Sequence, residues 1–495
     1  MIDDVNSLPD DPVLLKQLLA KQTARLMFLE EQFRLAQQQR FGASSEAHPA
    51  QGDLFNEAEA ELEVEPEVAE SVTVTVKKKP ARKKLPADLP RETIVHDIED
   101  KTCACCGNEL HHMGDERSEK LEFIPAQVKV IEHVRLKYSC RTCEKEGTST
   151  SVKIASVPPS PIPKGFATAT LLSQIITSKY QYALPLYRQE SLFKQYGIEL
   201  SRKTMADWMM KSAELFTPLY ARLQEILLQQ GVIQADETTL KVINEDKIKS
   251  YMWLYCTGTD SPSKNPIPNI VLYDYHSGRA GQCAVDYLDG FTGYLQVDGY
   301  AGYEKTSATL VGCWAHARRK FIEAQTTQPK GKTGKADMAL NMIQKLYRIE
   351  IRLKGKSAQQ AYQLRQEKAK PLLEQFYKWL EKANVPPKSA LGKAIQYCKN
   401  QWHKLIRYIE DGDLAIDNNR AERAIKPFVI GRKNWLFSNT ANGAKASGML
   451  YSIIETAKAN GLTPFDYITH CLRQLSYNEV DVEKLLPWNV KLQLN

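Results

Sequence analysis

"GVIQADETTLKVI", residues 231–243, is where the chain changes period. Upstream its apolar residues follow helical spacing; here the pattern is that of a strand. "KSYMWLYCTG" (249–258) reads as a second strand and "NPIPNIVLYDYHSG" (265–278) contains a third. A helical "GQCAVDYL" (281–288) follows, then a strand in "TGYLQVDGYAGY" (292–303) and an apolar run, "TLVGCWAHARRKF" (309–321), that turns into helix. Three strands in meander order, then helix and strand alternating, is the order of an RNase H-like α/β core. In that architecture carboxylates on neighbouring strands meet at one edge of the sheet. Asp236 lies in the first strand and Asp298 at the end of the fourth, so both can meet there. Glu237 is next to Asp236, but successive strand side chains point to opposite faces, and the smaller Asp236 is taken as the one facing the site.

Downstream, residues 323–412 break the α/β rhythm with helical patterns. Between Lys305 and Lys370 there are fifteen Lys/Arg against four Asp/Glu, which predicts a helical insertion with a basic face. The last helix of the core then falls in "DNNRAERAIKPFVIGRKNWLFSNT" (417–440). Asp417 reads as its N-cap, because a short acceptor can satisfy a free N–H of the first turn. Glu422 can complete a triad of carboxylates with Asp236 and Asp298.

Three acids suit phosphodiester chemistry. Cleavage or strand transfer uses two divalent cations about 3.5–4 Å apart, one activating the attacking oxygen and one stabilising the leaving oxygen. Mg²⁺ (or Mn²⁺) prefers carboxylate and water oxygens. Asp236 would bridge, with Asp298 and Glu422 each completing one shell. Arg318, Arg319, Arg420, Arg423, Lys426, Arg432 and Lys433 are candidate DNA contacts. Trp435 either stacks on an unpaired end base or packs in the core. His316 either contacts the scissile phosphate or packs; a two-metal site needs no histidine base.

Ahead of the core, a proline-rich hinge, "SVPPSPIPKG" (156–165), leads into several helices, with Gly197 as a break and Ser201 as a cap. "LFKQYGIELSRKTMADWM" (192–209) has the length and central turn of a helix-turn-helix, a pattern that plain helical packing also produces. Further back, "CACCGNEL" and "YSCRTC" hold two CxxC pairs, Cys103/Cys106 and Cys140/Cys143. Each pair can place two thiolates on one tetrahedral Zn²⁺, and four thiolates close the shell, so the site is structural. "NEAEAELEVEPEVAE" and the basic "KKKPARKKLP" read as a charged linker, since blocks of one charge sign repel and stay disordered. At the start, Leu15, Leu19, Leu26, Leu29, Phe33 and Ala36 recur on three- and four-residue steps with Gln22 as the polar exception, a short heptad seam that favours self-association.

The bulk numbers agree with a large multidomain protein. At 495 residues the chain exceeds one core, and 43% hydrophobic with 25% charged residues suits globular units. The net charge of +7 is compatible with a polyanionic partner. "MIDDVNSLPDDP" is acidic and is no secretory signal, and the most apolar run is too short and polar to span a bilayer. Sparse cysteines, four of them in CxxC pairs, fit a reduced, cytoplasmic setting.

The order of these motifs resembles the DDE transposases of the insertion-sequence-66 type. The resemblance runs nearly end to end through "RFGASSE", "KLPADLPRE", the paired CxxC, "QADETTLKV", "YLQVDGYAGY", "GCWAHARRKF", the 417–440 stretch and "LLPWN". It implies an acidic triad at Asp236, Asp298 and Glu422 and zinc ligands at Cys103, Cys106, Cys140 and Cys143. It also implies a role in moving a bacterial insertion sequence: binding its terminal inverted repeats and target DNA, usually beside small accessory proteins of the same element. The expected layout is a coiled-coil helix (1–46), a charged linker with basic arm (47–100), a four-cysteine zinc unit (101–146), a helical region (147–222), the first part of the RNase H-like core (223–322), a basic helical insertion (323–412), the last part of the core with Glu422 (413–463) and a C-terminal tail (464–495). Two other functions fit part of the pattern: a structure-selective nuclease on the same fold without strand transfer, and a DNA-binding regulator over an inactive core.

Overall fold

The computed structural model describes residues 11–41, 91–95, 127–139, 152–246, 249–259, 267–328 and 334–491. The chain divides into two compact units, Pro66–Ala155 and the remainder. In the smaller unit the described residues include a short antiparallel ribbon that pairs Lys137–Tyr138 with Lys153–Ile154. Cys103, Cys106, Cys140 and Cys143 lie outside the described residues, as do the glutamate-rich tether and the basic arm.

The larger unit begins with helix α1, Pro12–Phe41. Leu15, Leu19, Leu26, Leu29 and Phe33 are each between 41% and 68% exposed, so these residues of the apolar seam remain largely uncovered. Four helices follow: α2 Ala169–Tyr180, α3 Leu186–Gln195, α4 Arg202–Leu215 and α5 Thr217–Leu228. Gly197 takes a φ of 74°, which only glycine adopts without strain, and it ends α3. Ser201 Oγ accepts the Thr204 N–H at 3.1 Å and starts α4. α4 buries Met205, Trp208 and Met209, leaving Arg202, Lys203 and Lys211 exposed. The boundary expected between 222 and 223 falls inside α5. Its buried Leu219, Leu223 and Leu227 form one continuous i, i+4 stripe that cannot be cut there.

The sheet has five strands: β1 Val232–Leu240, β2 Ser250–Thr257, β3 Ile270–His276, β4 Tyr294–Gln296 and β5 Thr309–Val311. Their order is β3-β2-β1-β4-β5. The first three strands pair antiparallel, and β4 and β5 continue parallel to β1. Helix α6, Gly281–Tyr287, makes the crossover between β3 and β4. β2 is buried along almost its whole length because both faces of the sheet are covered. On one face Tyr255 stacks on Tyr287 of α6 at 4.0 Å and Trp253 meets Tyr303 edge-on at 5.6 Å. On the other lies α12, Asn419–Trp435, where the Tyr273 hydroxyl donates to the Ala424 carbonyl.

The free edge of β3 is closed by α13, Ala441–Ala459. Ser452 Oγ accepts the Tyr273 N–H at 2.8 Å. Thr456 Oγ1, one turn on, accepts the Val271 N–H at 3.0 Å and donates to the Val271 carbonyl at 2.9 Å. Two hydroxyls at i and i+4 thus stand in for a neighbouring strand along Val271–Tyr273.

Between β5 and α12 the chain builds a helical unit: α7 Trp314–Thr326, α8 Lys335–Ile351, α9 Ala358–Leu364, a π-helical turn Arg365–Ala369, α10 Lys370–Lys382 and α11 Ala390–Leu405. It has its own core of Trp314, Phe321, Tyr347, Phe376 and Leu380. The boundary expected between 322 and 323 falls inside α7, whose first residue Trp314 already belongs to that core. Not all its positive residues line a basic face, because Arg318 and Arg365 are buried. At the other end, the residues set apart as a tail form α14, Pro464–Gln474, which buries Tyr467, Ile468, Cys471 and Leu472. Leu485 and Leu486 of "LLPWN" join the same core, so 464–491 is part of the α/β unit. Among the described residues no helix is long and apolar enough to cross a membrane.

Candidate active site

Register determines which acids share a face. Asp236 pairs with Leu254 and Leu254 with Tyr273, and residues directly opposite each other lie on one face of a sheet. Tyr273 reaches α12, so Asp236 is on the α12 face. Glu237 pairs with Trp253 on the other face. There its side chain, 2% exposed, accepts from Arg279 Nε at 2.9 Å and from the Tyr303 hydroxyl at 2.6 Å. Burial pushes the Glu237 carboxyl up; the Tyr303 hydrogen bond and Arg279 pull against that.

Asp298 follows from the parallel pairing. Gln234 lies opposite Gln296, so two residues further on Asp236 and Asp298 reach the same level of adjacent strands. Asp298 Oδ1 accepts the Tyr300 N–H at 2.8 Å, turning the chain just past β4. The Asp236 carboxyl is held well above the usual carboxylate range, first by burial and then by the charges of Glu237, Asp298 and Glu422. Asp236 thus lies within electrostatic reach of Asp298 and Glu422.

α12 starts one residue later than the sequence predicts. Its N-cap is Asn418, and Asp417 precedes it. The Asn418 amide does not cap; Nδ2 donates to the Ala235 carbonyl at 2.8 Å and so ties the helix start to β1 beside Asp236. Its backbone N–H donates to Cys313 Sγ at 3.2 Å. Asp417 still satisfies a first-turn donor, since Oδ1 accepts the Asn419 N–H at 3.2 Å. Its Oδ2 accepts from Asn419 Nδ2 at 2.9 Å and from the Tyr347 hydroxyl at 3.0 Å.

Glu422, in the first turn of α12, is 4% exposed. Oε2 accepts from Arg319 Nη2 at 2.6 Å, while Oε1 lies 3.5 Å from His316 Nδ1 and is buried without a hydrogen bond. Cys313, His316 and Glu422 each offer a ligand atom within 4.8 Å of the others. Burial lowers the His316 pKa, opposed by the Glu422 charge, and burial raises that of the Cys313 thiol. Among the described residues the donors that converge are a thiol, an imidazole and the Glu422 carboxylate, and Asp236 and Asp298 add the carboxylate oxygens that suit a hard divalent cation. An acceptor such as Glu422 Oε1, desolvated and unpaired, is costly to fold unless a cation or donor meets it.

The basic residues proposed for DNA do not act alike. Arg319 holds Glu422. Arg318 and Arg420 are buried, at 8% and 7% exposed. Arg420 stands one turn before Ala424 on the inward stripe of α12, and its charge reaches Glu455. Arg432 donates to the Thr238 and Thr239 hydroxyls at 3.2 and 3.1 Å. Arg423 and Lys426 are half-buried and Lys433 is exposed. Trp435 packs edge-on against Phe428 at 5.5 Å, which favours the core reading over base stacking. The sequence reading missed Asn418 as a strand tie and Cys313. Cys313 carried a signal, since it sits three residues before His316 at the start of a helix.

A family model described as Transposase IS66 family matches residues 164–446. The chain belongs to the IS66 transposase family. Three further models of the same system match outside or at the edge of that span. The zinc-finger binding domain of transposase IS66 covers 100–144, a model described as transposase C of IS166 homeodomain covers 28–94, and the IS66 C-terminal element covers 452–488. The zinc-finger match includes all four candidate cysteines. Among curated proteins, the uncharacterized protein y4jD of Sinorhizobium fredii is 33% identical over 82% of this chain and 81% of its own length. The uncharacterized proteins y4hP and y4qI of the same organism are 32% and 34% identical, over 85% and 78% of this chain and 79% and 73% of their own lengths. No solved structure matches the chain.

Proposed function

We propose that this family member is an active DDE transposase. In this reading it cuts DNA at the terminal inverted repeats of a bacterial insertion sequence and joins the ends to target DNA in the cytoplasm. The observation that supports the reading is the Gln234–Gln296 register, which continued by two residues would bring Asp236 level with Asp298, together with the Asn418–Ala235 bond that ties the start of the helix carrying Glu422 to β1. The strand order β3-β2-β1-β4-β5, with the last two parallel, supports an RNase H-like core.

Asp236, Asp298 and Glu422 would hold two Mg²⁺ or Mn²⁺ ions, which supply an activated attacking oxygen and charge stabilisation at the leaving oxygen. The protein's own part is to fix three carboxylates on rigid elements, exclude bulk water from Glu422, and supply Arg423, Lys426 and Lys433 as phosphate contacts. The decisive test incubates purified protein with a duplex carrying the element's end and Mg²⁺. Nicking at the element boundary followed by joining to a second duplex is expected. Nicking without joining would leave a structure-selective nuclease, and binding without either would leave a DNA-binding regulator. Reactions run with and without the element's accessory proteins decide whether those are obligatory.

Two units outside the core carry their own expectations. The zinc-finger match and the two CxxC pairs predict about one zinc per chain, bound by Cys103, Cys106, Cys140 and Cys143. Metal analysis should find that zinc in wild-type protein and lose it in the Cys103→Ser, Cys140→Ser double variant; zinc retained in full would overturn the assignment. The exposed seam of α1 predicts a homo-oligomer. Deleting residues 1–46 should at least halve the assembly mass measured by light scattering, and an unchanged mass would place the contacts elsewhere.

A further inference from the structure

A cavity of about 400 Å³ opens between α7 and α11. Lys320 and Glu323 contribute from α7, Lys393, Gln396, Tyr397 and Asn400 from one face of α11, and Gln32 from α1. Tyr397 joins the cavity to the acids: a Cβ placed on Gly299, the residue after Asp298, would come within 3.1 Å of the Tyr397 ring. Its ring therefore lies against the backbone that carries Asp298, which explains why glycine follows the aspartate. On the α7 side, Lys320 directly follows Arg319, the residue that holds Glu422. One wall of the cavity thus belongs to the elements that position two of the three acids.

Apart from the Glu323 carboxylate, the polar lining offers groups a nucleotide can use. Lys320 and Lys393 are two cations for phosphate; the ion pair from Lys320 to Glu323 is long, at 3.9 Å, with the lysine 44% exposed. Gln396 and Asn400, bonded to each other at 2.7 Å, present amides that both donate and accept, as base edges do. Tyr397 offers a ring, and base–aromatic stacking is a large sequence-tolerant term. The size is that of a small-ligand pocket and cannot admit a duplex. Resting on the transposase reading above, we propose that this cavity takes one unstacked nucleotide of the DNA, immediately beside the phosphate that is cut. Extruding a base from a duplex costs stacking and pairing, least where the base is already mismatched. The stacking surface and the two cations offset that cost and set the distance of the next phosphate from the acids.

The test uses full-length protein and duplexes with 2-aminopurine at successive positions around the element boundary. Fluorescence is read in EDTA, where no cutting occurs, and nicking is read separately in Mg²⁺. A several-fold fluorescence rise is expected at one position beside the cut and at no other. Lys393→Glu, at an exposed site, should abolish the rise. Tyr397→Ala should slow nicking of paired ends by about tenfold or more, Tyr397→Phe should not, and a mismatch at that position should restore much of the Tyr397→Ala rate. If Tyr397→Ala fails to fold, Lys393→Glu and the position scan still decide. Nicking by wild-type protein with no position-specific rise would overturn the subsite and leave the transposase reading intact. A rise at one position, lost in Lys393→Glu, without nicking would uphold the subsite and overturn the activity. Neither signal would overturn both.

Discussion

Glu422→Gln is expected to leave the fold and DNA binding in place and to remove nearly all end cleavage. The structural side is favourable. Glutamine can turn its carbonyl to Arg319, which now donates to Glu422 Oε2 at 2.6 Å, and its amide takes the place of Oε1, 3.5 Å from His316 Nδ1. Burial lowers the pKa of that imidazole, and its Nε2 takes the Arg319 Nη1 donor at 3.4 Å. The functional side is severe. A neutral amide does not hold a hard cation as a carboxylate does, and losing several kcal/mol of charge stabilisation slows the reaction on the order of 10³-fold. DNA affinity should hold or rise, since a negative charge near phosphates is gone. Mg²⁺-dependent nicking of a duplex carrying the element's end measures the first effect and filter or fluorescence binding the second. Full activity would remove Glu422 from the site, and loss of binding together with cleavage would make it a structural partner of Arg319.

Asp417→Asn is the control, and the structure changes what it should do. As a surface N-cap, Asp417 would tolerate asparagine easily. It is instead 8% exposed, with one oxygen accepting from both Asn419 Nδ2 and the Tyr347 hydroxyl. An asparagine NH₂ on that side would face donors, so a loss of about 1–3 kcal/mol of stability is expected. The variant should melt earlier yet cleave normally when held folded.

How much of this was legible depends on the range of the interaction. The strands were, because their period changes at Gly231 and because β2 is buried on both faces and so reads as one apolar run. The opposite facing of Asp236 and Glu237 was also legible, since strand alternation is a local rule. The start of α12 was misplaced by one residue because Asn418 spends its amide on Ala235, far away in sequence. Nothing local marks that choice. Arg420 and Arg318 were counted as phosphate contacts since charge is visible in a sequence and burial is not. Tyr397 had no local signal; only the Gly299 contact links it to Asp298.

Arg365 shows the same limit at its greatest energetic consequence, and the largest stability effect is expected there. Within the basic count between Lys305 and Lys370 it looks like one more surface charge. It is 3% exposed. Nε and Nη2 donate to the two Glu350 oxygens at 3.0 and 2.7 Å. Nη1 donates to the carbonyls of Tyr408 and Asp411 at 3.0 and 2.8 Å, and Nη2 to that of Leu414 at 2.8 Å. The π-helical turn Arg365–Ala369 presents the guanidinium to this loop, which runs from α11 to the start of α12 and so sets where Glu422 stands. Arg365→Met leaves a half-buried carboxylate, two buried carbonyls and a half-buried one without these donors, so about 3–5 kcal/mol should be lost. Arg365→Lys should fall between, because one ammonium cannot reproduce the fork. Urea unfolding measures the loss, and cleavage assayed well below the melting temperature should still be reduced if the loop positions Glu422. Adding Glu350→Leu to Arg365→Met removes the stranded charge and should recover only part of the stability, since the carbonyls stay unpaired. Full recovery would assign the whole effect to the ion pair, and no loss in Arg365→Met would remove Arg365 as the staple of the loop.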